Sequence, residues 1–180
     1  MDYQQFFPFI KYLTPEQKHQ LLSSLQPLSF KKGDPIHDGQ QCTGLYAVES
    51  GLLRVYIFSD EGKEITLYRL ADYDICLLSA SCMLRSIQFE VHIQAAEDSR
   101  VNLHPTAVYA QLREENVHVA NYTNELLASR FSEIMWLLDQ ILYKKLDSRL
   151  AAFLIEEKER GNDPLTMTHE EISRQLGTAR

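Results

Sequence analysis

The sequence has no apolar run approaching the ~20 residues that a membrane-spanning helix requires, so no membrane partner is expected. Its opening residues, MDYQQFFPFIKYL, are apolar but lack a basic start ahead of a clean hydrophobic stretch, and no signal peptide is expected. Cysteine is scarce. Three residues, an odd number, suit a reducing cytoplasm better than a secreted disulfide framework. No cysteine precedes Cys42, so a four-thiolate iron–sulfur cluster or zinc site is not expected. His37, His92 and His104 are isolated, which argues against the clustered histidines of a small β-barrel metalloenzyme. The spacing supports no nucleophile–base pair either, so no enzyme is expected. Basic residues are outnumbered, 18 against 25 acidic, and the net charge of −7 excludes a whole-surface nucleic-acid binder. A local basic patch on one element remains compatible with that balance.

What is present is an ordinary globular mixture, 44% hydrophobic and 24% charged, long enough at 180 residues for one or two domains. Pro8 to Leu25 reads as helical, with Thr14-Pro15-Glu16 as an N-cap followed by proline at the first helical position. From Leu28 to about Leu103 short alternating segments appear: LSFKKG, LYAVESG, LLRVYIF, EITLYRL, FEVHIQA and RVNLH. Turn signals at Lys32-Gly33-Asp34, Asp38-Gly39, Ser50-Gly51 and Asp60-Glu61-Gly62 separate them, which predicts a compact antiparallel barrel or roll.

After Pro105 the helical period returns, and Asn116 to Tyr143 contains neither proline nor glycine. Leu127, Phe131, Ile134, Leu138 and Ile141 recur at intervals of 4, 3, 4 and 3, the seam of a two-stranded coiled coil. Leu126, Met135, Trp136, Leu137 and Leu142 add a second apolar side. A helix apolar on two sides needs two partners, here its own roll and a second copy of the chain, so a homodimer is expected. Gly161-Asn162-Asp163-Pro164 breaks the chain before LTMTHEEISRQLGTAR. There Thr168 and Glu171 form a capping box, Ile172 and Leu176 face inward, Gly177 makes a turn, and Thr178 is a good N-cap for another helix. Helix, glycine turn and helix start form the helix-turn-helix pattern.

These pieces, in this order, resemble the Crp/Fnr family of bacterial transcription regulators. In the roll the resemblance rests on FKKGDPIHDGQQCTGLYAVESGLLRVYIFSDEGKEITLYRLADYD, and most on Gly33, Tyr46, Val48, Ser50-Gly51, Val55, Gly62, Glu64 and Leu70. Towards the C-terminus it rests on DSRLAAFL and LTMTHEEISRQLGTAR. It implies an α+β fold: an antiparallel double-stranded, jelly-roll-like β-roll, a long dimerisation helix and the start of a winged helix-turn-helix. The expected division is a sensor roll with its N-terminal helix over 1–115, a dimerisation helix over 116–143, and a partial DNA-binding unit over 146–180. The recognition helix and wing would follow Arg180. By the resemblance, Arg180 falls where members place a base-contacting residue, able to fork onto guanine, and His169 is placed to approach a phosphate. Their plain alternatives are a frayed terminus and a solvated surface histidine.

Cyclic-nucleotide-binding members carry glycine, a Gly-Glu pair and a later Arg-Ser or Arg-Ala pair, which cradle the phosphate and ribose. Here the text is ADYDICLLSASCMLRSIQFEVHIQA. Ala71 stands for the glycine, Ile75 and Cys76 for Gly-Glu, and Phe89 for the arginine, while Arg85-Ser86 lies about four residues early. The positions that would meet the nucleobase fall at Ile134 and Met135. These departures argue against cAMP. The effector is therefore unknown, and Cys76, Cys82, Arg85, Ile134 and Met135 are the candidate effector or redox residues. Three readings of Cys76 and Cys82 stay open: buried core thiols, a Cys76–Cys82 disulfide switch, or haem ligation at Cys76, where the carbon-monoxide-sensing branch of the family has a cysteine. The histidine of that branch is replaced by Leu78. The expected function is a dimeric, cytoplasmic, DNA-binding regulator whose roll reads an effector or a redox signal. A regulatory module without DNA binding is the rival, and the EEISRQLGTAR segment speaks against it.

Overall fold

A computed structural model describes residues 3–39, 42–83, 90–162 and 164–177. Among the described residues eight strands form two four-stranded antiparallel sheets that face each other: β1 (Gln26–Phe30), β8 (Ser99–His104), β3 (Leu45–Ser50) and β6 (Ile75–Cys76) in one, β2 (Pro35–His37), β7 (His92–Ala95), β4 (Leu53–Phe58) and β5 (Glu64–Leu70) in the other. This is the expected double-stranded roll.

The side-chain period of two decides what each sheet position faces. In β3, Leu45 and Ala47 join an outer cluster, while Tyr46 and Val48 point between the sheets with Leu53, Val55, Leu70, Ile93 and Val101. The alternation continues through β6, so Ile75 and Leu77 face outward while Cys76 and Leu78 face the roll interior. The outer cluster is covered by the N-terminal segments and two helices. Phe6, Phe7, Phe9, Ile10 and Leu21 pack there against Tyr109, Leu112 and Val119. At Gly44, φ is 137° and an added Cβ would lie 2.2 Å from the His104 carbonyl oxygen, so only glycine lets β3 start so close to β8.

Of the helical segment expected over Pro8–Leu25, the cap at Thr14 with Pro15 at the first helical position stands, while the residues before it form a 3-10 turn and not an α-helix. The chain forms α1 (Tyr3–Phe6), a 3-10 turn (Pro8–Tyr12) and α2 (Pro15–Ser23). The break has a local cause, because the Thr14 side chain and Gln17 build a reciprocal capping box that starts α2 afresh. After β8 come α3 (Thr106–Glu115) and α4 (Val117–Tyr143), separated by the extended Asn116, whose side chain accepts from the His118 amide at 2.9 Å. Then follow α5 (Leu146–Glu159) and α6 (His169–Leu176). Thr168 and Glu171 cap α6 as the sequence predicts, and Gly177 ends it in the left-handed conformation with φ of 59°.

α6 lies against β5. Thr66 Oγ1 donates to the Arg174 carbonyl at 3.0 Å, and Arg69 Nε donates to Gln175 at 3.3 Å. Arg69 is also ion-paired to the buried Glu157 of α5, and Arg149 donates to the Leu176 carbonyl. No described helix is long and apolar enough to cross a membrane.

Candidate functional site

The turn between β5 and β6 is fixed from several sides. Asp74 accepts from the Ala71 amide at 2.9 Å, the Tyr73 amide donates to Val48 at 2.8 Å, and the Asp74 amide donates to Ala71 at 3.0 Å. These bonds hold Tyr73 at φ 72°, a left-handed conformation costly for a side chain of that size. The result is a rigid turn that aims the Asp74 carboxylate at α4. Arg130 of α4 donates to Asp74 at 3.1 Å and to both oxygens of Glu133 at 2.7 and 2.9 Å, and its guanidinium lies 5.0 Å from the centre of the Tyr68 ring. The turn and the long helix are thereby joined by one largely buried cation.

Cys76 lies next to this joint and is fully buried among Tyr46, Tyr68, Leu78, Ile93 and Ile134. Burial pushes its thiol up, against a smaller downward pull from Ser79, so the group is held neutral. Burial likewise raises the Tyr68 phenol well above its ordinary value. A haem thiolate needs an ionised sulfur and an open coordination face. The packed, neutral Cys76 does not fit that ligand. His104, buried against Phe7 at 4.8 Å, is pushed down to about 4 by burial, and both its ring nitrogens lack partners among the described residues. His92 instead packs edge-on against Phe58 on the other sheet. Among the described residues no three His, Cys, Asp or Glu side chains gather as a metal site.

Of the three open readings, the Cys76–Cys82 bridge is corrected. Cys82 is bonded to Cys42, their Cα atoms 5.9 Å apart, and Cys76 is a free buried thiol. The reason is local. Strand alternation turns Cys76 inward, and the 3-10 turns Leu78–Met83, kinked at Ala80, carry Cys82 out to the surface. There the loop ahead of β3 presents Cys42. The buried-thiol reading holds for Cys76 and fails for Cys82.

The other predicted positions separate. Ile134 packs on the roll interior beside Cys76 and Leu78, whereas Met135 is exposed. Leu127 leans on the outer cluster, while Phe131, Leu138 and Ile141 are uncovered. His169 is exposed at the first position of α6. Arg85, Thr178 and Arg180 lie outside the described residues. Sequence reasoning missed Arg130, Tyr68, Asp74 and Cys42. A lone arginine three residues before a glutamate on an apolar helix was the available signal for Arg130.

Beyond Asp74 a cleft of about 680 Å³ opens between β5, α4, α5 and α6. Trp136, Leu137 and Phe153 give it apolar walls, and Arg149 and Glu133 stand among its polar groups. That volume suits a small molecule.

Comparisons with known proteins bear on this geometry. A family profile described as the cyclic nucleotide-binding domain matches residues 27–116. A transcriptional regulator assigned to the Crp/Fnr family, from Eubacterium rectale ATCC 33656, is 49% identical, with a TM-score of 0.92 over 97% of this chain and 82% of its own. The catabolite activator protein of Thermus thermophilus is 26% identical, with a TM-score of 0.58 over 96% of this chain and 81% of its own. A CooA mutant from Carboxydothermus hydrogenoformans shares the fold at 20% identity and a TM-score of 0.65, over 96% of this chain and 78% of its own. No curated protein matches the sequence. The order of roll, long helix and capped α6, together with the 49% identity over nearly the whole chain, establishes that this chain belongs to the Crp/Fnr family of transcriptional regulators.

Proposed function

We propose that the chain is the sensing and dimerising part of a cytoplasmic DNA-binding regulator, and that its signal is something other than cAMP. The observation that carries the reading is the double life of α4. One side is tied to the β5–β6 turn through Arg130 and Asp74, and the other bares Phe131, Met135, Leu138 and Leu142 at helical spacing. A signal that moves the turn would move the helix that a second protomer packs on. The DNA-binding units would then reorient to half-sites about one DNA turn (~34 Å) apart. Ile75 and Cys76, where cAMP-binding relatives have Gly-Glu, support the exclusion of cAMP, because neither offers the backbone space nor the ribose acceptor.

The cleft beside Trp136 supports a small-molecule effector, since a ligand there would touch the roll, α4 and α5 together. His169, Thr178 and Arg180 are the proposed DNA contacts. The test is selection of random duplex DNA by the regulator with its complete DNA-binding unit. Enrichment of two related half-sites, with no gain in affinity on adding cAMP, is the expected result. Enrichment of no sequence sinks the DNA-binding reading, and a cAMP-dependent gain sinks the exclusion.

A further inference from the structure

We propose that Cys42 and Cys82 form a reversible redox-modification site whose oxidation staples the Leu78–Met83 turns to the loop ahead of β3 and stiffens the joint that holds α4. This deepens the sensor reading above and rests on it. Both cysteines are exposed, in contrast to the buried Cys76. Thiol–disulfide exchange requires access for the attacking thiolate, so the Cys42–Cys82 bond can be made and broken in the folded protein. The bond connects segments 40 residues apart in sequence.

The consequences run through contiguous contacts. Ser79, in the same 3-10 turns as Cys82, donates to the Gly44 carbonyl at 2.6 Å and to the Cys76 carbonyl at 3.0 Å. Gly44 lies two residues beyond Cys42, so the disulfide and the Ser79 bond clamp the same two segments. Cys76 ends β6, and Asp74, two residues earlier, takes the Arg130 guanidinium of α4. On its other side Cys42 Sγ lies 3.4 Å from Thr106 Oγ1, at the first residue of α3. Loss of the bond removes one of the two clamps, and the change reaches β6 and then α4. In a reducing compartment an exposed bond of this kind serves as a sensor rather than as a permanent staple.

The chemistry balances with a low-molecular-weight disulfide as oxidant. One protein thiolate attacks a sulfur of that disulfide, forming a mixed disulfide and releasing one small thiolate. The second protein thiolate then attacks the protein sulfur of the mixed disulfide and releases the other small thiolate. The two cysteine thiols lose two electrons and two protons, and the small disulfide gains both as two thiols. Two small thiols reverse the sequence.

The experiment equilibrates the folded chain in buffers of reduced and oxidised glutathione, traps thiols by alkylation, and reads peptide masses and amide hydrogen exchange. The expected result is a Cys42–Cys82 bond that passes from mostly reduced to mostly oxidised within the glutathione range, with Cys76 free throughout. Amides of β6, of Leu78–Met83 and of α4 around Arg130 should exchange about tenfold faster in the reduced protein. Cys42→Ser should show the reduced pattern in both buffers, and Cys76→Ser should keep the response. A bond that never forms, a bond that yields only on unfolding, or identical exchange of β6 and α4 in both states overturns the proposal. The DNA arm is separate. Binding to a selected duplex that ignores the redox buffer overturns the coupling to DNA and leaves the regulator reading intact. Absence of DNA binding in both buffers by the regulator with its complete DNA-binding unit, beside redox-dependent exchange, overturns the regulator reading and leaves the site.

Discussion

Arg130 sits at 7% exposure, yet it is a cation shared by Asp74, Glu133 and the Tyr68 ring. Replacing it by methionine keeps the apolar stem and removes the charge. Both carboxylate partners are more than a third exposed, which screens the pair, so Arg130→Met should lower unfolding stability by only about 1–2 kcal/mol. Urea denaturation measures the loss, and an unchanged midpoint would contradict the joint. His104 makes a pH prediction. Its folded-state pKa, about 4, lies below the ordinary 6.5, so the unfolded chain binds the proton more readily between those values. Stability is therefore full above about pH 6.5 and declines as pH falls towards 4, by on the order of 3 kcal/mol. His37 is shifted in the same direction by burial and adds to the slope. His104→Phe should flatten that part of the stability–pH curve, and an unaltered slope would assign the acid sensitivity elsewhere. For the oxidised protein, Cys42→Ser should cost about 2–4 kcal/mol of stability, the range for closing a loop of this length.

The residues of the site were legible in unequal measure. Cys76 and Ile134 could be placed against each other because the resemblance fixes both by counting. The partner of Cys82 could not, because it is set by where a kinked 3-10 segment surfaces. Arg130 and Tyr68 were hidden because an arginine in an apolar helix and a tyrosine in a strand both read as ordinary.

At the scale of elements, caps and glycines carried the prediction. Thr168 with Glu171 and the left-handed Gly177 delimit α6 as its sequence indicates, and the proline- and glycine-free run becomes α4 with Asn116 as its cap. The heptad count was less exact. The roll takes Leu127 and Ile134 for itself, and the stripe left bare runs through Phe131, Met135, Leu138, Ile141 and Leu142. A periodicity cannot say which of two partners a position faces. The two kinds of position should respond differently to substitution. Leu127→Ala should lower the stability of each protomer by about 1–2 kcal/mol, since the side chain is only partly buried. Phe131→Asp, at a position 66% exposed, should leave protomer stability within about 0.5 kcal/mol and abolish self-association. Thermal unfolding under dimer-disrupting dilution separates the two effects.

Across the whole molecule the units are held by polar contacts and share a cleft. β5 is bonded to α6 through Thr66 and Arg69, α5 reaches the roll through Glu157, and the turn at Asp74 reaches α4 through Arg130. The proposed switch would shift α4, α5 and α6 together relative to the roll. Transmission of the signal depends on α4 being the surface on which a second protomer packs, because otherwise a change at the turn has nothing to reorient. Sedimentation equilibrium of the chain at micromolar concentration tests this directly, run beside Phe131→Asp. Twice the protomer mass is expected for the natural sequence and a single protomer mass for the variant. A natural chain that stays monomeric at those concentrations, or a variant that still dimerises, would contradict it.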